Sequence, residues 1–396
     1  MKTKVAVLFG GKSVEHEVSI ISALQAIESV DKDKYEIIPI YITKENDFYF
    51  GADLGNIEKY KDIKSLLAKS TQVTFVNQNN KHYIARANKC LFGKTLLTEF
   101  DVAFPITHGT NVEDGALQGY LKTLSIPFVG CNVIASAIGM DKYAMKIMLK
   151  EGNFPVLDCL RFDDVAYEDE AKVVKEIMAK FKFPLIVKPV NLGSSVGISK
   201  AKDKESLEEA LELAFKFANT VLVEPCVANL REINCSVLGD RYEANASVLE
   251  EPVMSDDILS YQDKYMSEGG SKKSNGMASL SRIIPAQIDK KLEDKIKTIA
   301  VEAFKYLDCA GVCRIDFLMD NKTGEIWFNE INTIPGSLSF YLWDKTGVSY
   351  KEELTKLINL ALKRQRFEED ITYSFETNLL SKTSFKGAKG AKGAKC

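Results

Sequence analysis

The sequence predicts an α/β protein whose N-terminal part is built on a parallel sheet. Short apolar runs, TKVAVLF (3–9), YEIIPIYI (35–42), FDVAFPITHG (100–109) and IPFVG (126–130), alternate with stretches of helical apolar spacing, SVEHEVSIISALQAIESV and ALQGYLKTL. Strand–helix–strand alternation favours parallel pairing, because a crossover helix returns the chain to the start of the sheet. Gly10-Gly11 forms the first turn and Ser13 is a candidate cap for the helix after it. Residues 43–100 carry no period that assigns elements.

Beyond 133 the pattern changes. IASAIGMDKYAMKIMLKEG predicts one helix ended by Gly152, followed by a short strand at RFDDV and a helix over 167–182. PLIVKPV and VGISKA predict strands, LEEALELAFKFA a helix and TVLVEPCV a strand. REINCSVLGD and RYEANASVLE predict a hairpin that turns at Gly239-Asp240. Residues 255–283 are polar and glycine-rich and predict a long loop of the kind that covers a site. A helix at KLEDKIKTIAVEAFKYL, strands at CRIDFLMD and EIWFNEIN, and an amphipathic helix over 349–364 complete the folded part. The tail KGAKGAKGAKC is basic and of low complexity, which predicts disorder.

A net charge of −3 over 396 residues excludes polyanion binding through a general basic field. The N-terminal apolar run of five residues is too short for a signal peptide core, and no run approaches a membrane span. Eight cysteines without a CxxC pair, mostly in apolar surroundings, predict reduced buried thiols in a cytoplasmic protein. The three histidines, His16, His82 and His108, are too scattered for a Cys/His zinc site.

Two stretches carry chemistry. In VKPVNLGSSVGISK (187–200) a lysine precedes a Gly-Ser-Ser loop between two strands. Such a loop offers unobstructed backbone N–H groups to an anion, and Lys188 adds a point charge. A solvent-exposed turn explains the loop alone equally well. FGGKS (9–13) is not a phosphate loop, since Ala6 stands where its first glycine belongs and an acidic run follows. The second stretch pairs CRIDF (313–317) with FNEIN (328–332). Arg314 and Asp316 share one strand face, as do Glu330 and Asn332. On neighbouring strands Asp316, Glu330 and Asn332 form a set of hard oxygen donors suited to Mg²⁺, with Arg314 at its edge.

K-P-x-x-x-G-S-S-V-G, R-I-D and N-E-I-N together resemble the ATP-grasp fold and, more narrowly, the D-alanine–D-alanine ligase family. GGKSVEHEVS (10–19), HGTNVEDGALQG (108–119), MDK (140–142), Asp263-Lys264-Tyr265 and NTIPG (332–336) match that family's motifs in order, so the resemblance runs from about 3 to 365. It implies an ATP-grasp fold with an N-terminal Rossmann-like domain: 1–132 binding substrate, 133–228 central, 229–370 C-terminal with the lid 255–283, and the tail 371–396. It also implies ATP and two Mg²⁺ or Mn²⁺ ions as cofactors, D-alanine as substrate, a homodimer, and no nucleic-acid or membrane partner. Lys142, Lys188 and Lys264 would approach the triphosphate with the backbone around Ser194 and Ser195. Backbone groups near Glu224 and Cys226 would meet adenine, and Glu232 the ribose. Asp316, Glu330 and Asn332 would hold the metal. Glu15 would receive the first D-alanine's ammonium and join Ser194 to the lid residue Tyr265. Arg314 and the Gly336 N–H would stabilise the tetrahedral oxyanion, and His108 would orient groups or shuttle a proton.

The chain departs from the pattern at Asn111-Val112, at a hinge-to-Glu232 spacing one residue longer than usual, and at SLSFYLW (337–343). There Tyr341 and Leu342 stand where the family has serine and leucine next to the second amino acid. A D-alanine–D-serine ligase is the alternative this leaves open. A different ATP-grasp ligase would lack the two N-terminal motifs, and a non-catalytic sensor would have lost Arg314 or a metal ligand.

Overall fold

The computed structural model describes residues 2–88, 93–253 and 282–372. Nearly all of the predicted lid, with Lys264 and Tyr265, and the tail beyond 372 lie outside the described residues. Residues 1–362 form one compact unit, and a second unit begins at Lys363.

Seven strands make the first sheet: β1 (Thr3–Gly10), β2 (Tyr35–Ile42), β3 (Phe48–Phe50), β4 (Thr71–Gln78), β5 (Lys81–Arg86), β6 (Leu96–Phe100) and β7 (Val102–Pro105), in the order β6-β5-β4-β3-β2-β1-β7. β1 pairs in parallel with β2 and β7, as the alternating sequence predicts. The helix His16–Ser29 crosses from β1 to β2, and β1 is buried from Val5 to Gly10 because a central parallel strand is covered on both faces. The stretch without a readable period adds β3 to β6 as an antiparallel meander. Its buried positions Val73, Phe75 and Ile84 are separated by polar, half-buried ones that blur the alternation. IPFVG is not a strand but a single parallel bridge from Phe128 to Ala103.

The second sheet is antiparallel, β10-β9-β11-β8, from β8 (Leu160–Asp163), β9 (Leu185–Pro189), β10 (Ser199–Ala201) and β11 (Thr220–Pro225). Helices Glu170–Lys180 and Lys204–Phe215 close its core, which holds Val173, Ile177, Leu185, Val187, Leu207, Leu211 and Val221. The third sheet, β14-β13-β12-β15-β16, comprises β12 (Leu230–Gly239), β13 (Ala244–Pro252), β14 (Arg282–Ile283), β15 (Gly311–Asp320) and β16 (Ile326–Asn332). The predicted hairpin is β12–β13, closed where the Asp240 N–H donates to the Glu243 carbonyl.

The single helix expected over 134–152 is two. Val133–Met140 ends at Asp141, which leaves helical geometry and caps Lys142–Glu151 through its carboxylate, accepting from the Tyr143 and Ala144 N–H groups. Both helices pack on the core under the third sheet, with Ala135, Met145 and Leu149 beside Ile233, Ile315 and Phe328. The first and third sheets also share apolar packing, since Val5, Phe9 and Phe104 cluster with Val312, Ile334, Leu338 and Trp343. The last helix spans Tyr350–Glu369. Among the described residues no helix is long and apolar enough to cross a membrane.

Candidate active site

The Gly-Ser-Ser loop joins β9 to β10, as the sequence predicts. Ser194 and Ser195 both adopt left-handed backbone, with φ of 52° and 58°. Ser194 Oγ donates to Glu15 Oε1 at the start of the first helix. The two glycines facing Glu15 are there for space: a Cβ on Gly193 would lie 2.9 Å from Glu15 Oε2, and one on Gly109 3.1 Å. The Glu15–Ser194 half of the predicted triad is therefore assembled, while Tyr265 lies outside the described residues.

Lysines fill the space between the second and third sheets. Lys142 Nζ donates to the Leu192 carbonyl at 2.7 Å and lies 3.5 Å from Glu330 Oε2. The helix break at Asp141 places it there. Lys188 Nζ lies 2.6 Å from Glu224 Oε1 and donates to Asn329 Oδ1 at 3.1 Å. One turn beyond Lys142, Lys146 Nζ lies 2.8 Å from Glu224 Oε2. Burial opposes charge on the Glu224 carboxyl, but Lys188 and Lys146 outweigh it and hold its pKa at about 2. Burial pushes the Lys146 ammonium down.

Sequence reasoning missed Lys146 and Asn329. Asn329 is displayed by a bulge in β16: Asp316 opposes Glu330 and Phe317 opposes Phe328, so Asn329 is the extra residue. The x-x-x spacing of Lys142 and Lys146, one helical turn, is the signal that could have found Lys146.

Arg314 grips Asp316 bidentately, Nε to Oδ1 and Nη2 to Oδ2, both 2.7 Å. Asn332 Nδ2 donates to Asp316 Oδ2 at 3.2 Å. Burial raises the Asp316 carboxyl despite Arg314, while Lys142, Lys188 and Arg314 together outweigh burial and lower Glu330. Asp316, Glu330 and Asn332 thus converge, as predicted from strand pairing. Glu232 and Asn234 lie on the same face of β12, with Asn234 opposite Asp316. The predicted adenine hinge is partly committed: Glu224 pairs with Ile186 in the ladder and the Cys226 N–H donates to the Pro184 carbonyl at 3.0 Å, which removes that N–H from a ligand.

Two residues of the HGTNVEDG segment reach the loop after β16. His108 is buried, with Nδ1 2.8 Å from the Ile334 carbonyl and Nε2 3.0 Å from Ser22 Oγ. The carbonyl can only accept, so the proton sits on Nδ1 and the Ser22 hydroxyl donates to Nε2. Ser22 Oγ in turn accepts from the Ser337 N–H at 3.0 Å. Glu113 accepts from the Gly109 and Ile334 N–H groups, each 2.9 Å away, and burial pushes its pKa up to about 8. Beyond Gly336, Ser337, Leu338 and Ser339 are all left-handed, with φ of 49°, 55° and 57°. For side-chain-bearing residues that arrangement costs about 1–2 kcal/mol each, and the anchors on Ser22 and Gln25 hold it. Within SLSFYLW, Leu342 and Trp343 are buried. Tyr341 O–H donates to Glu250 Oε2 at 2.9 Å, under Arg282.

The family model for the D-ala D-ala ligase N-terminus matches residues 4–131, and that for the D-ala D-ala ligase C-terminus matches 148–359. A D-alanine–D-alanine ligase of Thermosipho melanesiensis is 41% identical over 377 residues, covering 95% of this chain and 98% of the relative. One of Caldicellulosiruptor bescii is 40% identical over 389 residues, covering 95% and 99%. The structure of the D-alanine-D-alanine ligase from Coxiella burnetii superposes with a TM-score of 0.76 at 28% identity, over 93% of this chain and 96% of that one. The VanG D-Ala:D-Ser ligase from Enterococcus faecalis superposes with a TM-score of 0.75 at 32% identity, over 91% and 100%. With the fold, the converging lysines and both halves of the sequence matched, the chain belongs to the D-alanine–D-alanine ligase family.

Proposed function

We propose that this protein joins two D-alanines into D-alanyl-D-alanine, converting ATP to ADP and phosphate by way of an acyl phosphate, for peptidoglycan precursor synthesis in the cytoplasm. The observation that carries the reading is a set of three held groups: Glu15 bound by Ser194, Lys142 and Lys188 beside Glu330 and Glu224, and Arg314 clamped to Asp316. The first receives an ammonium, the lysines meet phosphate charge, and the guanidinium stabilises an oxyanion.

Each role follows from what the side chain can do. Glu15, fixed by Ser194, accepts the first amino acid's ammonium and leaves its carboxylate pointing along the site. Lys142 and Lys188 are held by carboxylates and an amide that phosphate oxygens can replace. Arg314 keeps its guanidinium at the edge of the acidic cluster, ready for the oxyanion formed when the second amine attacks. His108 uses both ring nitrogens to place the 334–337 loop, so orienting that loop and the Gly336 N–H is the role its geometry favours over proton shuttling. Asp316, Glu330 and Asn332 offer hard oxygen donors that fit Mg²⁺ or Mn²⁺. A metal bound there supplies charge neutralisation on the phosphates. A homodimer, a covering role for 255–283, and roles for Lys264 and Tyr265 belong to the same proposal.

The test is release of ADP and phosphate from ATP and Mg²⁺ with D-alanine as sole amino acid, and product identified by mass. Turnover with D-alanine alone is expected. Turnover only when D-serine is added would replace this reading by the D-alanine–D-serine alternative, against relatives at 40–41% identity that bear the D-alanine–D-alanine name.

A further inference from the structure

Cys131 meets two cysteines distant from it in sequence, Cys309 and Cys313, at the third sheet. Cys131 lies at the end of the N-terminal domain, Cys309 follows the helix Lys290–Tyr306, and Cys313 lies in β15. Their sulfurs all lie within 4.8 Å of one another, and Cys131 Sγ is 3.6 Å from Cys313 Sγ. All three are at most 2% exposed and sit in an apolar core with Met145, Phe304 and Ile331. The approach is built into the backbone. Gly311 has φ of +82°, and a Cβ there would come 3.0 Å from the Cα of Gly130. Two glycines back to back at this seam let the chain after Gly130 press against the segment that runs from Cys309 into β15.

The spacing suits a three-coordinate centre. A thiolate bond of about 2.3 Å puts the sulfurs of a flat trigonal set about 4 Å apart, and closer in a pyramid. That separation lies inside the range the thiols already span, so binding needs little rearrangement. Charge decides what fits. Among the described residues no other His, Cys, Asp or Glu joins the group, and tetrahedral zinc wants four ligands. Three thiolates around a monovalent ion would bury two net negative charges, and around a divalent ion one. Uncompensated charge in such a core is costly. A trivalent centre bound to three sulfurs is neutral.

We propose that Cys131, Cys309 and Cys313 form a site for a trivalent thiophilic metalloid of the arsenite type. Arsenous acid, As(OH)₃, exchanges its three hydroxyls for three sulfurs. Three S–H and three As–O bonds break, three As–S and three O–H bonds form, three waters leave, and no electrons change hands. Hydrogen bonding to Cys131 and burial hold the Cys309 thiol well above its ordinary range, and burial does the same for Cys313, which disfavours ionic sites and leaves this neutral exchange unaffected. Cys313 immediately precedes Arg314, so the site adjoins the strand that carries the reaction's charges.

The test is native mass spectrometry of the full chain titrated with sodium arsenite in phosphine-reduced buffer, with the melting temperature followed in parallel. Wild type is expected to gain one arsenic atom and lose three hydrogens, and its melting temperature to rise as ligand binds the folded state. Cys159→Ser, outside the cluster, is expected to behave as wild type. Cys309→Ala and, as a second variant should the first fail to fold, Cys131→Ala are expected to lose the three-sulfur adduct, with affinity at least tenfold weaker. Folded wild type that takes up no arsenic at millimolar arsenite would overturn the proposal. So would a three-sulfur adduct that persists in either variant, or an adduct abolished by Cys159→Ser.

Discussion

His108 and Ile334, 226 residues apart, are joined by a ring N–H donated to a backbone carbonyl 2.8 Å away. The bond fixes the imidazole's tautomer and, through Ser22, the left-handed turn after Gly336. Burial holds the His108 pKa below its ordinary 6.5. The unfolded chain therefore binds a proton below about pH 6.5 that the folded chain refuses, so stability falls as pH drops from there, by up to about 1.4 kcal/mol per pH unit. Urea midpoints at pH 7.5 and 5.5 are expected to differ more in wild type than in His108→Gln, which cannot titrate.

Glu224 acts with the same sign in a lower window of pH. Its carboxyl is held at about 2 against an ordinary 4.5, so its contribution is complete above about pH 4.5 and disappears as pH falls towards 2. Glu224→Gln leaves Lys146 and Lys188 buried without a counter-charge, at a cost of about 3–5 kcal/mol. Thermal melts at pH 7 should show the loss, and the gap between wild type and variant should narrow in acid.

Arg314→Ala is expected to lower kcat by on the order of a hundredfold, the usual cost of a lost oxyanion donor. Arg314→Lys should recover little of it, because an ammonium cannot make the paired contacts that the guanidinium makes with Asp316. ADP release at saturating ATP and D-alanine measures both, and near-wild-type turnover in Arg314→Ala would remove Arg314 from the reaction.

Gly193→Ala drives a methyl to 2.9 Å from Glu15 Oε2. It is expected to displace the carboxylate and raise the KM for D-alanine about tenfold or more while leaving the KM for ATP within a factor of two. A rise in the KM for ATP alone would mean that the loop serves the nucleotide and not the amino acid.

Asn329→Ala removes the amide oxygen that holds Lys188. A hydrogen bond to a charged group is worth about 1.5–3 kcal/mol, so a loss of that order in the stability of the nucleotide-free protein is expected from urea unfolding, smaller when ATP is present.

The site was legible where chemistry sits in short runs. CRIDF and FNEIN give Arg314, Asp316, Glu330 and Asn332 through strand alternation alone, and their register is as expected. Asn329 was hidden because a bulge suspends that alternation for one residue. The break at Asp141 was hidden because a capping aspartate between two apolar stretches reads as one more polar residue on a helix. Cys131, Cys309 and Cys313 could not be grouped, since their meeting depends on a contact between Gly130 and Gly311 that no local pattern announces. The strands β3 to β6 escaped because half-buried meander strands keep polar residues on both faces.

The way apolar residues are shared among the three sheets also bears on motion. The first and third sheets draw on one packed cluster, whereas the core of β8 to β11 holds only residues between 160 and 223. That segment can tilt as a rigid jaw without exposing oil to water. What resists the tilt is polar: Ser194 to Glu15, Lys142 to Leu192, Lys146 to Glu224 and Lys188 to Asn329. In amide exchange the backbone of 160–223 should then keep its protection while these bonds open, and sub-global exchange cutting through the 160–223 core would refute it. Opening the mouth of this protein costs a few hydrogen bonds that water, or a triphosphate, can replace at once.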